Sequence, residues 1–137
     1  MAEAQFWIGV HGVISHAGKI LILRRVPSMV YKPGHWDLPG GHLSLGETFE
    51  KCLTREIAEE TSLSITPGQL LGLNQAIDGP YVQLIFGCTA ESPAPIRLQP
   101  NEHDDARWLS LDQIVSMTGL IPYLERIVSR GMLDYLR

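Results

Sequence analysis

Three glutamates that share the apolar side of one helix constrain this chain more than any other feature. Residues 48–61 carry no proline or glycine, and Phe49, Cys52, Leu53 and Ile57 recur at the spacing of an amphipathic helix. At about 100° per residue, Glu56, Glu59 and Glu60 fall within roughly 100° of arc that overlaps the apolar one. Glu50, Lys51, Thr54, Arg55 and Ala58 fill the opposite side. Most Glu-rich helix faces are simply solvated. Carboxylates turned toward a core are different, because they repel one another, lose hydration and take up protons unless a positive charge neutralises them. A hard divalent ion meets that need: Mg²⁺ takes oxygen ligands and is usually shared between a few carboxylates and substrate phosphates. A structural ion-pair network is the competing account. Arg55 lies beside the cluster and Glu47 about two turns before it, so an Arg55–Glu47 pair can orient the carboxylates.

The remainder reads as strands around that helix. Residues 6–14 and 19–23 are apolar segments separated by the turn signal Ser15-His16-Ala17-Gly18, which predicts a β-hairpin closed by Arg24 and Arg25. Residues 27–34 should be a loop, and Pro39-Gly40-Gly41 marks a second irregular stretch. Residues 70–76, 81–89 and 106–109 read as further strands, and Pro122 suits the first turn of a final helix. Strands interspersed with two helices give a mixed sheet covered by helices. A length of 137 residues, 45% of them hydrophobic and 19% charged, fits one domain, residues 1–137.

A net charge of −4 argues against a nucleic-acid polymer or an anionic membrane as partner, since both attract clustered Lys and Arg. Anionic small molecules remain open if carboxylate-held cations bind them. No apolar run approaches the roughly 20 residues that span a bilayer, and the expectation is a cytoplasmic protein. Cys52 and Cys88 stand alone and are expected as buried free thiols. The five histidines, His42 and His103 among them, show no convergent metal spacing and are expected on the surface. Tyr31, Trp36 and Phe6 are candidates to stack on a base, although aromatics beside strands more often pack in the core.

Gly41, Glu47, Arg55, Glu56, Ile57, Glu59, Glu60 and Leu63 together reproduce the pattern G-x5-E-x7-R-E-U-x-E-E-x-G-U, with U apolar. A chance match to six of its seven fixed positions, all but the last glycine, has a probability on the order of 10⁻⁵ or less at ordinary residue frequencies. The pattern is the Nudix box, and the chain resembles the Nudix hydrolases. The likeness runs from about Gly9 to Leu111, through Trp36-Asp37-Leu38-Pro39-Gly40-Gly41 and Trp108-Leu109. The resemblance implies an α/β fold in which a mixed β-sheet is sandwiched between α-helices. It also implies hydrolysis of a diphosphate linkage in a nucleotide-like substrate, using Mg²⁺ for which Mn²⁺ can substitute. Glu56, Glu59, Glu60 and the carbonyl of Gly40 would be the metal ligands, with Arg55 and Glu47 supporting them. Glu59, Glu60 or Glu102 would accept the proton of the attacking water. Glu102 is included because 101–105 is an acidic loop, and loops on a rigid scaffold often carry catalytic groups.

Arg24, Gly40 and Gly41 are expected to face substrate. Arg24 and Arg25 alternate across a strand end, so only one of them can. Residues 38–43, the lack of the last box glycine, and residues 81–86 look closest to the nucleoside triphosphate diphosphatase branch, whose product is a nucleoside monophosphate. Two alternatives stand beside it: a pyrophosphatase of ADP-ribose or another nucleoside diphosphate derivative, for which Pro67 speaks weakly, and a catalytically silent nucleotide-binding domain. Intact Glu56, Glu59 and Glu60 argue against the last. The resemblance also allows a homodimer. Ser62 replaces the last box glycine, at a position just after the helix where a left-handed backbone favours Gly.

Overall fold

Strands β1 (Trp7–His16) and β2 (Lys19–Arg25) form the hairpin, turned by Ala17 and Gly18, both at positive φ. In the computed structural model, which describes residues 2–92 and 95–137, these strands pair only through Ser15↔Ile20 and His16↔Lys19 and then diverge. The opening between them is filled by β3 (Trp36–Asp37), which pairs with β2, and β4 (Gly40–His42), which pairs with β1. Gly12 donates its N–H to Pro39 O across the junction at 2.9 Å. The stretch expected to be irregular is therefore a wedge of two short strands inside the sheet. It brings the backbone of Gly40 and Gly41 to the place where the sheet splits.

On the far side of β1, β6 (Tyr81–Ala90) runs parallel to it, and β5 (Ile65–Gln75) is antiparallel to β6 at the edge. β7 (His103–Leu109) pairs antiparallel with β2. One parallel pair among antiparallel ones makes the sheet mixed, as expected. Helix α1 (Phe49–Thr61) packs Cys52, Leu53 and Ile57 on one face against Val10, Ile14, Leu21 and Leu23. Helices α2 (Leu111–Val115) and α3 (Pro122–Ser129) cover the other face, where Ile114, Leu124 and Ile127 meet Val13, Ile20 and Ile22. Alternate residues of β2 thus enter two different cores, which is why residues 20–23 are apolar without interruption. Cys52 and Cys88 are buried free thiols. Among the described residues no helix is long and apolar enough to cross a membrane.

Among the described residues three α-helices, not two, flank the sheet. The five residues of α2 are too few to show a period, yet Ser110 and Gln113 close a reciprocal capping box at its start. β5 begins five residues earlier than the sequence suggests. Its first part contains Pro67 and Gly68, which mimic a loop but are tolerated on an edge strand, here with register shifts between Pro67 and Leu70 and between Leu70 and Gly72. β7 likewise starts at His103 instead of Ala106, because its acidic first residues hide a strand that pairing with β2 enforces.

Ser62 holds the left-handed conformation, φ 64°, with its N–H bonded to Ala58 O. A residue with a Cβ is strained there. Ser62→Gly should stabilise the protein by about 1 kcal/mol, read as a higher denaturant midpoint; an unchanged or lower midpoint would mean that the gain is lost to the looser unfolded chain.

Candidate functional site

Thr48 caps α1 by accepting the Lys51 N–H at 3.2 Å, which fixes where the helix starts and hence which residues meet the wedge strand β4. The three glutamates are graded in burial. The side chain of Glu60 is 8% exposed, that of Glu56 20%, and that of Glu59 54%. The expectation that all three turn inward therefore holds for Glu60 and Glu56. Glu59 lies at the rim. Glu60 Oε1 accepts the N–H of Gly40 at 2.7 Å, and a Cβ on Gly41 would fall on the Glu56 carboxylate. The glycine pair lets the wedge lie directly against the acidic face, with Gly40 itself pressed on Val10 O.

Arg55 binds Glu47 in the two-pronged manner expected, Nε to Oε2 at 3.1 Å and Nη2 to Oε1 at 2.8 Å. Its Nη1 lies 2.9 Å from Glu56 Oε1 and 3.4 Å from Glu59. Glu47 also accepts the Ser44 N–H. These bonds, Arg55 first, hold the Glu47 carboxyl down at about 2. Glu60 receives no such help. Burial pushes its pKa well above the ordinary carboxylate range against the pull of the Gly40 N–H, and the charges of Asp37, Glu102 and Glu56 push it further. Glu56 is raised too, chiefly by burial and despite Arg55.

The loop before β7 closes the cluster. Ligand atoms of Glu60, Glu102 and His103 lie within 4.8 Å of one another. The loop is tied down at both ends: Gln99 Nε2 donates to Glu59 O at 3.0 Å, and Glu102 O accepts the Val26 N–H at 3.0 Å. Gln99 was not visible as a site residue in the sequence, since its role depends on a contact 40 residues away. Nor was His103. It is 4% exposed, not on the surface, because pairing with Arg25 draws it into the sheet. Burial keeps its imidazole pKa below the usual value. Buried carboxylate oxygens are a hard donor set, and a carboxylate that folding has surrounded with other carboxylates fits a divalent cation.

Beside the cluster lies a cleft of about 310 Å³, bordered by His11, Arg25, Asp37, His42, Tyr81 and Arg126. On its floor Tyr123 OH donates to Asp37 and lies 3.0 Å from His11 Nδ1. Arg25, not Arg24, borders this cleft: Arg25 donates to Tyr31 O at 2.9 Å and reaches Asp37 at 3.3 Å. Arg24 points away, bonded to Asp104 at 2.7 Å and lying over Trp36. A register shift between Arg24 and Arg25 in the pairing with β7 accompanies this choice. Of the aromatics, Trp36 belongs to the core, Tyr31 reaches the cleft, and Phe6 is exposed outside its lining. His42 is exposed at the cleft, stacked on Trp7.

Metal and pH should act on stability together. Glu60 and Glu56 keep protons in the folded chain at pH values where the unfolded chain has released them, so their contribution to stability falls as pH rises above the ordinary value of 4.5. Glu47 works oppositely, contributing above 4.5 and losing it as pH falls toward 2. His11 and His103, lowered by burial, destabilise the fold on the acid side of the usual imidazole value. The quantity that isolates the glutamates is the Mg²⁺-induced rise in melting temperature, which should be larger at about pH 8 than at about pH 5, because a metal needs deprotonated ligands. An increment that is absent, or equal at both pH values, counts against the cation site.

Comparison with known proteins agrees with this geometry. The NUDIX domain model matches residues 6–130. Phosphatase NudJ of Escherichia coli is 28% identical over 111 residues, covering 79% of this chain and 71% of that protein. The crystal structure of MutT protein from Methanosarcina mazei Go1 superimposes with a TM-score of 0.84 at 27% identity, covering 100% of both chains. A MutT NUDIX hydrolase from Burkholderia pseudomallei gives 0.75 at 25% identity, covering 91% of this chain and 97% of that one. With the family pattern running through both the wedge and the acidic helix, the chain belongs to the Nudix hydrolase family.

Proposed function

We propose that this protein is a metal-dependent pyrophosphohydrolase that splits a nucleoside triphosphate, or a compact nucleoside diphosphate derivative, and releases a nucleoside monophosphate. The observation that carries the reading is Glu60, a buried carboxylate set among carboxylates, next to a cleft large enough for a small ligand. Glu56, Glu59, Glu60 and the Gly40 carbonyl would hold the ion, which supplies charge neutralisation at phosphorus and an acidified water. Arg55 and Glu47 keep Glu56 and Glu59 in place, so the carboxylates need not reorganise when substrate arrives. Glu102 accepts the proton of the attacking water, since Glu60 Oε1 is already engaged by Gly40. Arg25 and Arg126 offer positive charge to the phosphates or base, and Tyr31 and Tyr81 offer faces for stacking.

At about 310 Å³ the cleft lies at the small end of ligand pockets. That size favours one nucleoside over ADP-ribose with its second sugar. Pro67, the residue that spoke for ADP-ribose, sits on the edge strand opposite Cys88 and does not border the cleft. The test is a screen of nucleoside triphosphates, ADP-ribose and dinucleoside polyphosphates with Mg²⁺, with the products identified. Monophosphate and pyrophosphate from a triphosphate support the reading. Turnover confined to ADP-ribose or dinucleoside polyphosphates would replace it, and no turnover of any of them would leave a binding domain.

A further inference from the structure

The buried imidazole of His103 has no role in the reading above. Among the described residues its Nδ1 is the buried side-chain nitrogen or oxygen without a hydrogen-bond partner. It faces Glu60 Oε2 at 3.6 Å. That separation is too long for a hydrogen bond, and a protonated Nδ1 beside a carboxylate would be expected to close to about 2.8 Å. Two donors about 2.1 Å from one ion, by contrast, can stand up to about 4.2 Å apart. The 3.6 Å gap is within the reach of one cation, and Glu102 belongs to the same cluster within 4.8 Å. The position is fixed by the backbone: His103 pairs with Arg25 in the sheet, and its own N–H is held by Gln99 O at 3.0 Å.

We propose that His103 Nδ1 is a ligand of the divalent cation held by Glu60, and that this nitrogen shifts the site from Mg²⁺ toward the Fe²⁺ to Zn²⁺ series. The inference rests on the reading of the glutamate cluster as a cation site. Oxygen-only sites suit Mg²⁺, whereas imidazole favours ions later in the first row. A single nitrogen donor would therefore leave Mg²⁺ able to bind while giving Co²⁺ or Zn²⁺ an advantage that oxygen ligands do not supply.

The probes are the ions alone, added to chelator-treated protein. Mn²⁺ bound to the unaltered protein should show electron spin-echo modulation from a directly coordinated ¹⁴N nucleus, and His103→Gln should abolish it. Competition against Mn²⁺ should show that His103→Gln weakens Co²⁺ by about tenfold or more, the usual scale for loss of a metal-site partner, and Mg²⁺ by no more than about twofold. If the glutamine variant does not fold, His103→Asn takes its place, and the measurement on the unaltered protein needs neither. Absence of the nitrogen signal overturns the proposal, as does its persistence in the variant. An equal loss of Co²⁺ and Mg²⁺ affinity would make His103 a positioning residue for Glu60, which also overturns it. Glu60→Gln separates the two levels of the argument. If Glu60→Gln binds every ion as well as the unaltered protein, the cation site itself is wrong and the ligand assignment falls with it. If Glu60→Gln loses all ions but His103→Gln changes none, only the ligand assignment fails.

Discussion

Glu60→Gln is expected to lower turnover about a thousandfold while raising the melting temperature of the metal-free protein by a few degrees. The two effects have one cause. Glu60 is buried, and its charge is opposed by Asp37, Glu102 and Glu56, so without a cation the folded chain holds an expensive ionisable group. Glutamine keeps the volume and the carbonyl oxygen that accepts the Gly40 N–H, and it removes the charge. In the proposed site it also removes a metal ligand. Activity and stability should therefore move in opposite directions, a pattern that a structural ion-pair member would not give, because losing such a residue destabilises the fold. Glu59→Gln should cost turnover comparably but leave stability nearly unchanged, since its side chain is more than half exposed. Kinetics with Mg²⁺ and melts in chelator decide both. Near-normal activity in both variants would remove the metal-site assignment.

The second large effect is expected at Glu102. Glu102→Gln should reduce kcat by about a hundredfold, within the usual range for loss of a general base, and change KM little. Asp104→Asn and Asp105→Asn, two and three residues away, should do almost nothing. Asp104 pairs with the outward-pointing Arg24, and Asp105 is occupied with the Ala106 N–H and Arg107. Of these three acidic residues, only Glu102 joins the cluster with Glu60 among the described residues. The loop is anchored by Gln99 and by the Val26 bond to Glu102, so the carboxylate is held in place before substrate arrives and its loss should register in the chemical step. Equal and small effects from all three substitutions would make the loop an ordinary connection and return the proton to Glu59 or Glu60.

What was legible in the sequence is what short-range geometry fixes. The helix period, the shared face of Glu56, Glu59 and Glu60, the Arg55–Glu47 pairing and the special backbone position of Ser62 all involve residues within about two turns of one another. Each is found where that spacing puts it. The hairpin is local in the same sense, and so is the start of α3 at Pro122.

Tertiary structure decided the rest. A period identifies a face but not its depth, so only the approach of the Gly40–His42 wedge buries Glu60 and leaves Glu59 at the rim. Strand alternation says that Arg24 and Arg25 part, and only the irregular pairing with β7 selects Arg25 for the cleft. That pairing also turns His103 from an expected surface residue into a buried one, and Gln99 acquires its contact with Glu59 from a loop 40 residues downstream. Such features depend on register between strands far apart in the chain, where a shift of one residue exchanges the two faces and nothing in the local sequence records the choice.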